Sequence, residues 1–308
     1  MRFLKSVYYK LLKFKNRVLV GRPVMVLMYH RVNDIVDSPA AHLTVSVSDF
    51  EKQLQYFTTK YQILGLRDDW RNLKKTGIVL TFDDGYADNY TKALPLLEKY
   101  NIPATFFITT ENIDTKEEFW WDRLNHNYIQ CDDNFFIPGT PHKVSKNDNS
   151  LRSLAIEITK LKQDKKREWL EEWEKKNGIS YLPRPEYRSM TIAEVMAIEE
   201  HPLLSVGLHT HNHYPLGQLT YKEQKEELEL SMQRLKELGI KEMDYLALPN
   251  GSYNAETTRL WAEFNFSGVL LANNYYSSAA NKKTKKINRI LMPSISGKAV
   301  VKYLKKFE

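Results

Sequence analysis

Four short segments of the chain carry side chains that could hold a metal ion or move protons. The first is Thr81–Gly85 (TFDDG), in which two aspartates follow an apolar run. Adjacent carboxylates repel each other unless a cation lies between them or one stays protonated, and a bound divalent ion is the simplest remedy. The same residues would also suit a turn with an acidic helix cap, so this segment alone decides nothing.

The second segment, His209–His213 (HTHNH), holds three of the eight histidines of the chain. Imidazole nitrogens bind zinc at about 2.0–2.1 Å, so ligands to one ion must converge. In a continuing strand, residues 209 and 213 would lie about 13 Å apart. A helical turn after His209 would instead bring their Cβ atoms to about 5–6 Å. Metal binding therefore requires the strand to end at His209.

Two further segments also follow apolar runs. Met28–His30 (MYH) ends in a histidine that is either structural or an acid–base group titrating near neutrality. Leu248–Gly251 (LPNG) is either a simple turn or a place where backbone N–H groups meet an oxyanion. All four segments are predicted at the carboxyl ends of strands, where barrel enzymes place their chemistry, so we expect them to converge.

The elements that would position these segments alternate along the chain. The predicted strands are residues 24–29, 78–82, 104–109, 204–208, 245–248, 268–271 and a segment near Ile290. The predicted helices are residues 48–61, with Ser48 as the N-cap, and residues 87–100, 221–238 and 255–264. Strands that are apolar throughout and separated by helices predict a covered parallel sheet. About seven such units favour a (β/α) barrel over an open sheet.

Residues 114–185 interrupt this alternation. The segment is polar and rich in aromatic residues, and it predicts a helical insertion in a loop above the barrel. Its aromatic side chains would either form a small core of the insertion or stack on sugar rings. They are Phe119, Trp120, Trp121, Trp169 and Trp173.

The composition is that of a globular protein, with 308 residues, 42% hydrophobic and 27% charged. The single cysteine, Cys131, excludes a disulfide scaffold and a cysteine-rich zinc site, so histidines and carboxylates must hold any metal. Seven of the 45 basic residues lie in residues 1–22, which contain no acid. Residues 23–308 are therefore neutral overall, which disfavours nucleic acid as a partner.

The basic arm, residues 1–22, also has apolar residues at helical spacing and predicts an amphipathic helix. This helix would either lie in the plane of an anionic membrane or pack on the protein itself. The charges interrupt every apolar core that a secretion signal would need. We therefore expect a cytoplasmic protein on the inner face of a bacterial membrane, with residues 23–308 as its barrel.

The motifs together resemble those of the polysaccharide deacetylase family (carbohydrate esterase family 4, the nodulation-protein deacetylase homology domain). TFDDG, HTHNH with the following YPLGQLT, and ALPNGSYN resemble its first three motifs in the same order. The early MYHRV with SDFEKQL resembles the branch whose acid-bearing histidine lies near the start of the chain. The resemblance runs from about Pro23 to Pro293 and implies a distorted (β/α)7 barrel.

The resemblance also implies roles for particular residues. Asp84, His209 and His213 would be the metal ligands, Asp83 the general base and His30 the general acid. The implied cofactor is one divalent ion, with zinc expected and cobalt, nickel or iron as alternatives.

The chain departs from the family pattern at two positions. Asn250 stands where an aromatic residue is usual, and its backbone N–H would line the oxyanion site. Ala247 stands where an arginine usually partners the base. Arg289, in NRILMP, is our candidate for a substitute, although it could equally be an ordinary surface or substrate-positioning arginine.

The implied reaction is metal-dependent hydrolysis of an N-acyl group, with N-acetyl expected, from an amino sugar in a polysaccharide, oligosaccharide or lipid-linked glycan precursor. The alternatives are a deformylase of a lipid-linked amino sugar and a non-catalytic glycan- or membrane-binding relative. A glycoside hydrolase would need two carboxylates but would leave the histidine cluster without a role. The natural substrate, the oligomeric state and the role of the insertion do not follow from the sequence.

Overall fold

A computed structural model of the chain describes residues 21–307. The helix predicted in the basic arm lies outside the described residues, apart from positions 21–22, and stays a prediction. The strands are β1 (Val24–Tyr29), β2 (Arg31–Val32), β3 (Thr44–Val45), β4 (Gln62–Ile63), β5 (Gly77–Phe82), β6 (Ala104–Ile108), β7 (Asn134–Phe136), β8 (Lys143–Ser145), β9 (Leu204–Leu208), β10 (Tyr245–Ala247), β11 (Gly268–Leu270), β12 (Lys286–Ile287) and β13 (Ile290–Leu291).

The α-helices complete the alternation that the sequence predicts. They are α1 (Val47–Lys60), α2 (Leu94–Tyr100), α3 (Trp120–Gln130), α4 (Asp148–Thr159), α5 (Gln163–Asn177), α6 (Ile192–Glu200), α7 (Tyr221–Glu237), α8 (Ala255–Glu263), α9 (Ala279–Lys283) and α10 (Gly297–Leu304). Among residues 21–307, no helix combines the length and the apolar character needed to cross a bilayer.

One parallel sheet forms the centre of the fold. Its strands lie side by side in the order β12, β11, β10, β9, β6, β5, β1 and β13, and β4 pairs with β5 outside this path. The register pairs Leu27 with both Leu80 and Ile290. All of β1 and β5 is buried, as expected of strands covered on both faces.

The sheet curls so that its two ends come close together. Its end strands follow each other directly in the chain, since β12 ends at Ile287 and β13 begins at Ile290. Three residue steps span at most about 11 Å, so the two edges of the sheet must lie close together. We call residues 288–289, which cross between these edges, the barrel seam. The predicted distorted (β/α) barrel is confirmed.

Alternate residues of each strand face opposite sides, which separates two apolar clusters. Val24 and Val26 pack in a cluster inside the barrel, whereas Met25 and Leu27 pack beneath the helices. The inner cluster includes Trp70, from the segment that precedes β5, and therefore fills the amino end of the barrel. The carboxyl end remains for the cavity described below.

Most predicted boundaries agree with the structure within one residue, and the cap of α1 is an exception. Ser46, not Ser48, caps α1, because the extended backbone of Ser46 lets its hydroxyl accept from the Asp49 N–H at 3.2 Å. The helix predicted over residues 87–100 is observed, but its residues Asn89–Ala93 form a π-helical turn before α2.

The segment predicted as an insertion contains α3, α4 and α5 and a hairpin, β7–β8, that the sequence did not predict. It has an apolar core of its own that includes Leu124, Cys131 and Trp173. Trp173 is fully buried there, whereas Trp120 and Trp121 line the cavity of the barrel. The aromatic residues of the insertion therefore divide between its core and the cavity.

Candidate active site

The candidate site is a cavity of about 370 Å³ at the carboxyl ends of the barrel strands. Every site residue predicted from the sequence lines it. These residues are His30, Asp83, Asp84, His209, His213, Asn250 and Arg289. The convergence expected of the four segments is therefore observed in the structure.

A sharp turn after β5 presents both aspartates to the cavity. Asp84 and Gly85 have φ angles of 73° and 92°, in the left-handed region. A Cβ on Gly85 would lie 3.0 Å from the Ile108 side chain, so space as well as backbone conformation favours glycine here. The Asp83 N–H donates to Tyr29 O at 2.9 Å and the Thr109 N–H to Asp84 O at 3.1 Å, which fixes the turn between its neighbours.

The histidine segment converges by a different route from the one predicted. β9 ends at Leu208, as metal binding requires, but the chain then makes no helical turn. Instead Thr210 and His213 adopt left-handed conformations, with φ angles of 62° and 56°. The Thr210 hydroxyl accepts from the His213 N–H at 3.1 Å, and the rings of His209 and His213 lie 4.9 Å apart.

Asp84, His209 and His213 fit a metal ion. Their ligand atoms all lie within 4.8 Å of one another, and the two imidazole Nε2 atoms lie 3.3 and 3.2 Å from Asp84 Oδ1. A tetrahedral ion with bonds of about 2.0–2.1 Å places its ligand atoms about 3.3 Å apart. Asp84 Oδ1 is buried and has no hydrogen-bond partner among the described residues, as expected of an oxygen reserved for a cation.

A backbone carbonyl orients one of these histidines. His209 Nδ1–H donates to Ala247 O at 2.9 Å, which leaves the Nε2 lone pair facing Asp84. In the sequence, Ala247 was notable only for the arginine missing at that position. Its carbonyl contributes through the backbone and leaves no signal in residue type.

The charges around the cavity are strongly coupled. Burial alone would raise the pKa of Asp84, but His209 and His213 hold that pKa well below its ordinary value. Burial lowers the pKa of His209, yet Asp83 and Asp84 raise it above its ordinary value. The buried carboxylates therefore favour positive charge at the imidazoles, either as a proton on His209 or as a divalent cation in its place.

Arg289 lies against Asp83. Its Nη1 and Nη2 atoms donate to the two carboxylate oxygens at 2.6 and 2.8 Å, and its Nε donates to Leu271 O at 3.1 Å. Burial alone would raise the pKa of Asp83, but Arg289, together with His209 and His30, holds it below its ordinary value. The guanidinium reaches Asp83 from the barrel seam.

His30 and Asn250 complete the lining predicted from the sequence. The His30 carbonyl accepts from Asn89 Nδ2 at 2.8 Å, whereas its imidazole Nδ1 is buried without a hydrogen-bond partner among residues 21–307. Burial lowers the pKa of His30 even though Asp84 and Asp83 raise it. Asn250 has a φ angle of 54°, which asparagine tolerates better than most residues.

The sequence does not predict the contacts that two side chains make with the histidine segment. Trp121 packs its ring 4.6 Å from the ring of His213. The buried Glu227 of α7 accepts from the backbone N–H groups of His211 and Asn212, at 3.2 and 2.8 Å. His211 itself faces Thr110, at 2.8 Å, and takes no part in the cluster of three ligands.

Comparison with known proteins agrees with this geometry. A family model described as polysaccharide deacetylase matches residues 71–269, which is more than half of the chain. The chain belongs to the polysaccharide deacetylase family. IcaB from Ammonifex degensii has a similar fold, with a TM-score of 0.58 and 18% identity over 89% of this chain and 93% of that one.

Two curated relatives from Bacillus subtilis match shorter stretches of this family member. YxkH is 34% identical over 107 residues, which is 32% of this chain and 36% of YxkH. The peptidoglycan-N-acetylmuramic acid deacetylase PdaA is 31% identical over 120 residues, which is 38% of this chain and 44% of PdaA. The matched region thus spans less than half the length of either relative.

Proposed function

We propose that this protein removes an N-acyl group from an amino sugar in a polysaccharide, oligosaccharide or lipid-linked glycan precursor. We expect the group to be N-acetyl and the cofactor to be one divalent metal ion. The observation that carries the proposal is the convergence of two aspartates, three histidines and a buried arginine on one cavity. Membership of the polysaccharide deacetylase family and the name of PdaA support the reaction class.

Asp84, His209 and His213 would hold the ion. Three protein ligands that leave further positions free are typical of a catalytic zinc site, and the nitrogen and carboxylate donors also suit cobalt, nickel or iron. When bound, such an ion supplies Lewis-acid polarisation of a carbonyl and lowers the pKa of water.

Asp83 would act as the general base. Because Arg289 binds both of its oxygens, Asp83 stays ionised although it is buried, and it can take a proton from the attacking water. As the water oxygen bonds to the acyl carbon, the carbonyl oxygen becomes an oxyanion, and the Asn250 N–H would donate to it. The carbon–nitrogen bond then breaks and the acyl group leaves as a carboxylate.

His30 would protonate the departing amine. Burial lowers the pKa of His30, so its imidazole is neutral in the resting site at neutral pH. Negative charge that develops on the substrate favours its protonated form, which can then donate. His30 would thus take up a proton from solvent as this charge develops and pass it to the amine nitrogen as the carbon–nitrogen bond breaks.

Paired variants test these assignments. Asp84→Ala should abolish both metal binding and turnover, because it removes a ligand. Asp83→Asn should abolish turnover while the metal stays bound, because it removes only the base. The exposed His142→Gln serves as the control and should keep both properties. Metal content is measured by elemental analysis, and turnover by acetate and formate release from N-acetylglucosamine oligomers, peptidoglycan fragments and an N-formylated amino sugar.

Each result decides between the candidate functions. Release of formate alone would replace the N-acetyl substrate by an N-formyl one. Bound metal with no release from any probe would favour a non-catalytic glycan-binding protein. Near-normal turnover of Asp83→Asn would refute Asp83 as the base.

We also propose that the basic arm attaches the protein to an anionic membrane on its cytoplasmic face. Its seven basic residues and lack of acids support this, since each lysine or arginine near an anionic surface contributes about 1 kcal/mol. Removal of residues 1–22 should abolish co-sedimentation with phosphatidylserine vesicles but leave turnover on soluble oligomers unchanged. Vesicle binding that survives the truncation would refute this role.

A further inference from the structure

Of the three proposed ligands, His213 has the least support from the barrel. Asp83 and Asp84 directly follow the end of β5. His209 directly follows β9, and its Nδ1–H donates to the Ala247 carbonyl. His213 lies further along an irregular segment, in a left-handed conformation that is unfavourable for a non-glycine residue. Within its segment the Thr210 hydroxyl accepts from its backbone N–H at 3.1 Å, so the orientation of its imidazole depends on contacts from other segments.

The insertion provides such a contact through Trp121 of α3. The Trp121 ring lies 4.6 Å from the His213 ring and stacks on Phe119 on another side, at 4.6 Å and 7° between planes. Trp121 Nε1–H donates to the Tyr86 hydroxyl at 2.7 Å. Stacking and hydrogen bonding together leave the indole little freedom to rotate.

The Tyr86 hydroxyl is itself fixed. It donates a hydrogen bond to Asp122 Oδ2 at 2.6 Å and accepts one from Trp121 Nε1–H at 2.7 Å. Tyr86 and Asp122 are buried, and Tyr86 lies two residues after Asp84. The chain of contacts from Asp122 through Tyr86 and Trp121 thus connects the Asp84 turn to His213.

A second residue of the insertion contacts the chain directly after the histidine segment. The buried Lys166 of α5 places its Nζ atom 4.4 Å from the centre of the Tyr214 ring and 5.0 Å from that of Trp120. Tyr214 directly follows His213. The insertion therefore contacts His213 itself and the residue that directly follows the histidine segment.

We propose that Trp121, oriented by Tyr86 and Asp122, is a positioning residue that holds His213 in its ligand conformation, so that the insertion sets the affinity of the metal site. The inference rests on the proposed metal centre. Trp121 acts through an imidazole and not on the substrate, so its loss should weaken metal binding before it changes the chemistry.

Two conservative variants test the proposal while keeping an aromatic ring at each position. Trp121→Phe keeps an aromatic ring but removes the Nε1–H donor, and Tyr86→Phe removes the hydroxyl that receives it. Residues that orient metal ligands typically contribute about 10–100-fold to metal affinity, and we expect a loss of that size in each variant. Because both changes break one hydrogen bond, the double variant should lose less affinity than the two single losses combined.

Zinc affinity is measured by competition with a chromophoric chelator, and ligand geometry by the visible absorption of the cobalt(II)-loaded protein. Trp169→Phe is the matched control, because Trp169 packs on Trp173 in the core of the insertion. It should change neither readout. If Trp121→Phe fails to fold, as judged by circular dichroism, Tyr86→Phe provides the test alone.

The outcomes separate this inference from the proposed function. Wild-type zinc affinity and an unchanged cobalt spectrum in the folded variants would overturn the positioning role and leave the metal centre intact. A wild-type protein that binds no zinc through Asp84 would overturn the metal centre and, with it, this inference. A loss confined to the two site variants would support the proposal.

Discussion

Replacement of Arg289 tests how the barrel keeps its proposed base ionised. The exposed fractions of the Arg289 and Asp83 side chains are 0% and 3%, so solvent screens their interaction little. In Arg289→Met the carboxylate stays buried without its bidentate partner. Breaking a buried pair in this way destabilises proteins by about 3–5 kcal/mol. We expect a decrease of that size in the free energy of unfolding, measured by urea denaturation.

The same variant should change the pH dependence of catalysis. Arg289 lowers the pKa of Asp83, so its removal raises that pKa, and the base becomes protonated at a higher pH. The acidic limb of kcat/KM, measured by acetate release, should therefore move to higher pH, and activity should recover as pH rises. Arg289→Lys keeps the charge but loses the paired geometry, and its limb should lie between those of the wild type and Arg289→Met.

A matched control distinguishes the general effect of losing an arginine from the specific loss of the pair with Asp83. Arg67 pairs with Asp244 at the surface, where both side chains are 37% exposed, so Arg67→Met should cost only about 0–1 kcal/mol and should not move the limb. A stability loss in Arg289→Met with an unchanged acidic limb would make Arg289 a structural residue only and would refute the reasoning.

Three further predictions concern the insertion and the turn after β5. Burial raises the pKa of Asp122 from 3.8 to about 7, so the contribution of Asp122 to stability decreases as pH rises from 4 to 7. Asp122→Asn should lack this decrease. The difference between its free energy of unfolding and that of the wild type, measured by urea denaturation, should therefore grow by about 1.4 kcal/mol per pH unit. A difference that stays constant with pH would contradict this. Burial raises the pKa of Cys131 to about 11, so about 100-fold less thiolate is present at pH 8 in the native protein than in the unfolded protein. The native protein should therefore react with a disulfide reagent at least 100-fold more slowly. Equal rates would show that the core of the insertion is open. Gly85→Ala should destabilise the protein by about 1 kcal/mol or more, because φ is 92° and Ile108 is close; an unchanged thermal midpoint would argue against the turn geometry.

The alternation of apolar strands with helices could be predicted from local patterns. The strand containing Thr81 and the strand that precedes His209 both end where their apolar runs end. Hydrophobic periodicity reflects which face of an element is buried, and this information lies within a few residues of each position. The barrel and the convergence of the motif residues on one cavity follow from such patterns together with the family resemblance.

Other features could not be predicted because short sequences allow several local conformations. The segment after His209 was expected to turn helically, but it converges through left-handed residues at Thr210 and His213. Polar five-residue segments have no periodicity to choose between these routes, and contacts with Glu227 and Trp121 select one of them. Ser46 and Ser48 are both typical N-cap residues, and only the folded backbone selects Ser46 as the cap of α1.

The sequence by itself determines which groups are reactive and at which strand ends they lie, because each of these depends only on neighbours in the chain. The partners of those groups are not determined in this way. Arg289 and Asp83 lie 206 positions apart, and they meet only because the sheet curls and residues 288–289 cross between its two edges. Trp121 reaches His213 only because the insertion folds back over the cavity. Such contacts arise from the packing of whole elements, which no local pattern encodes.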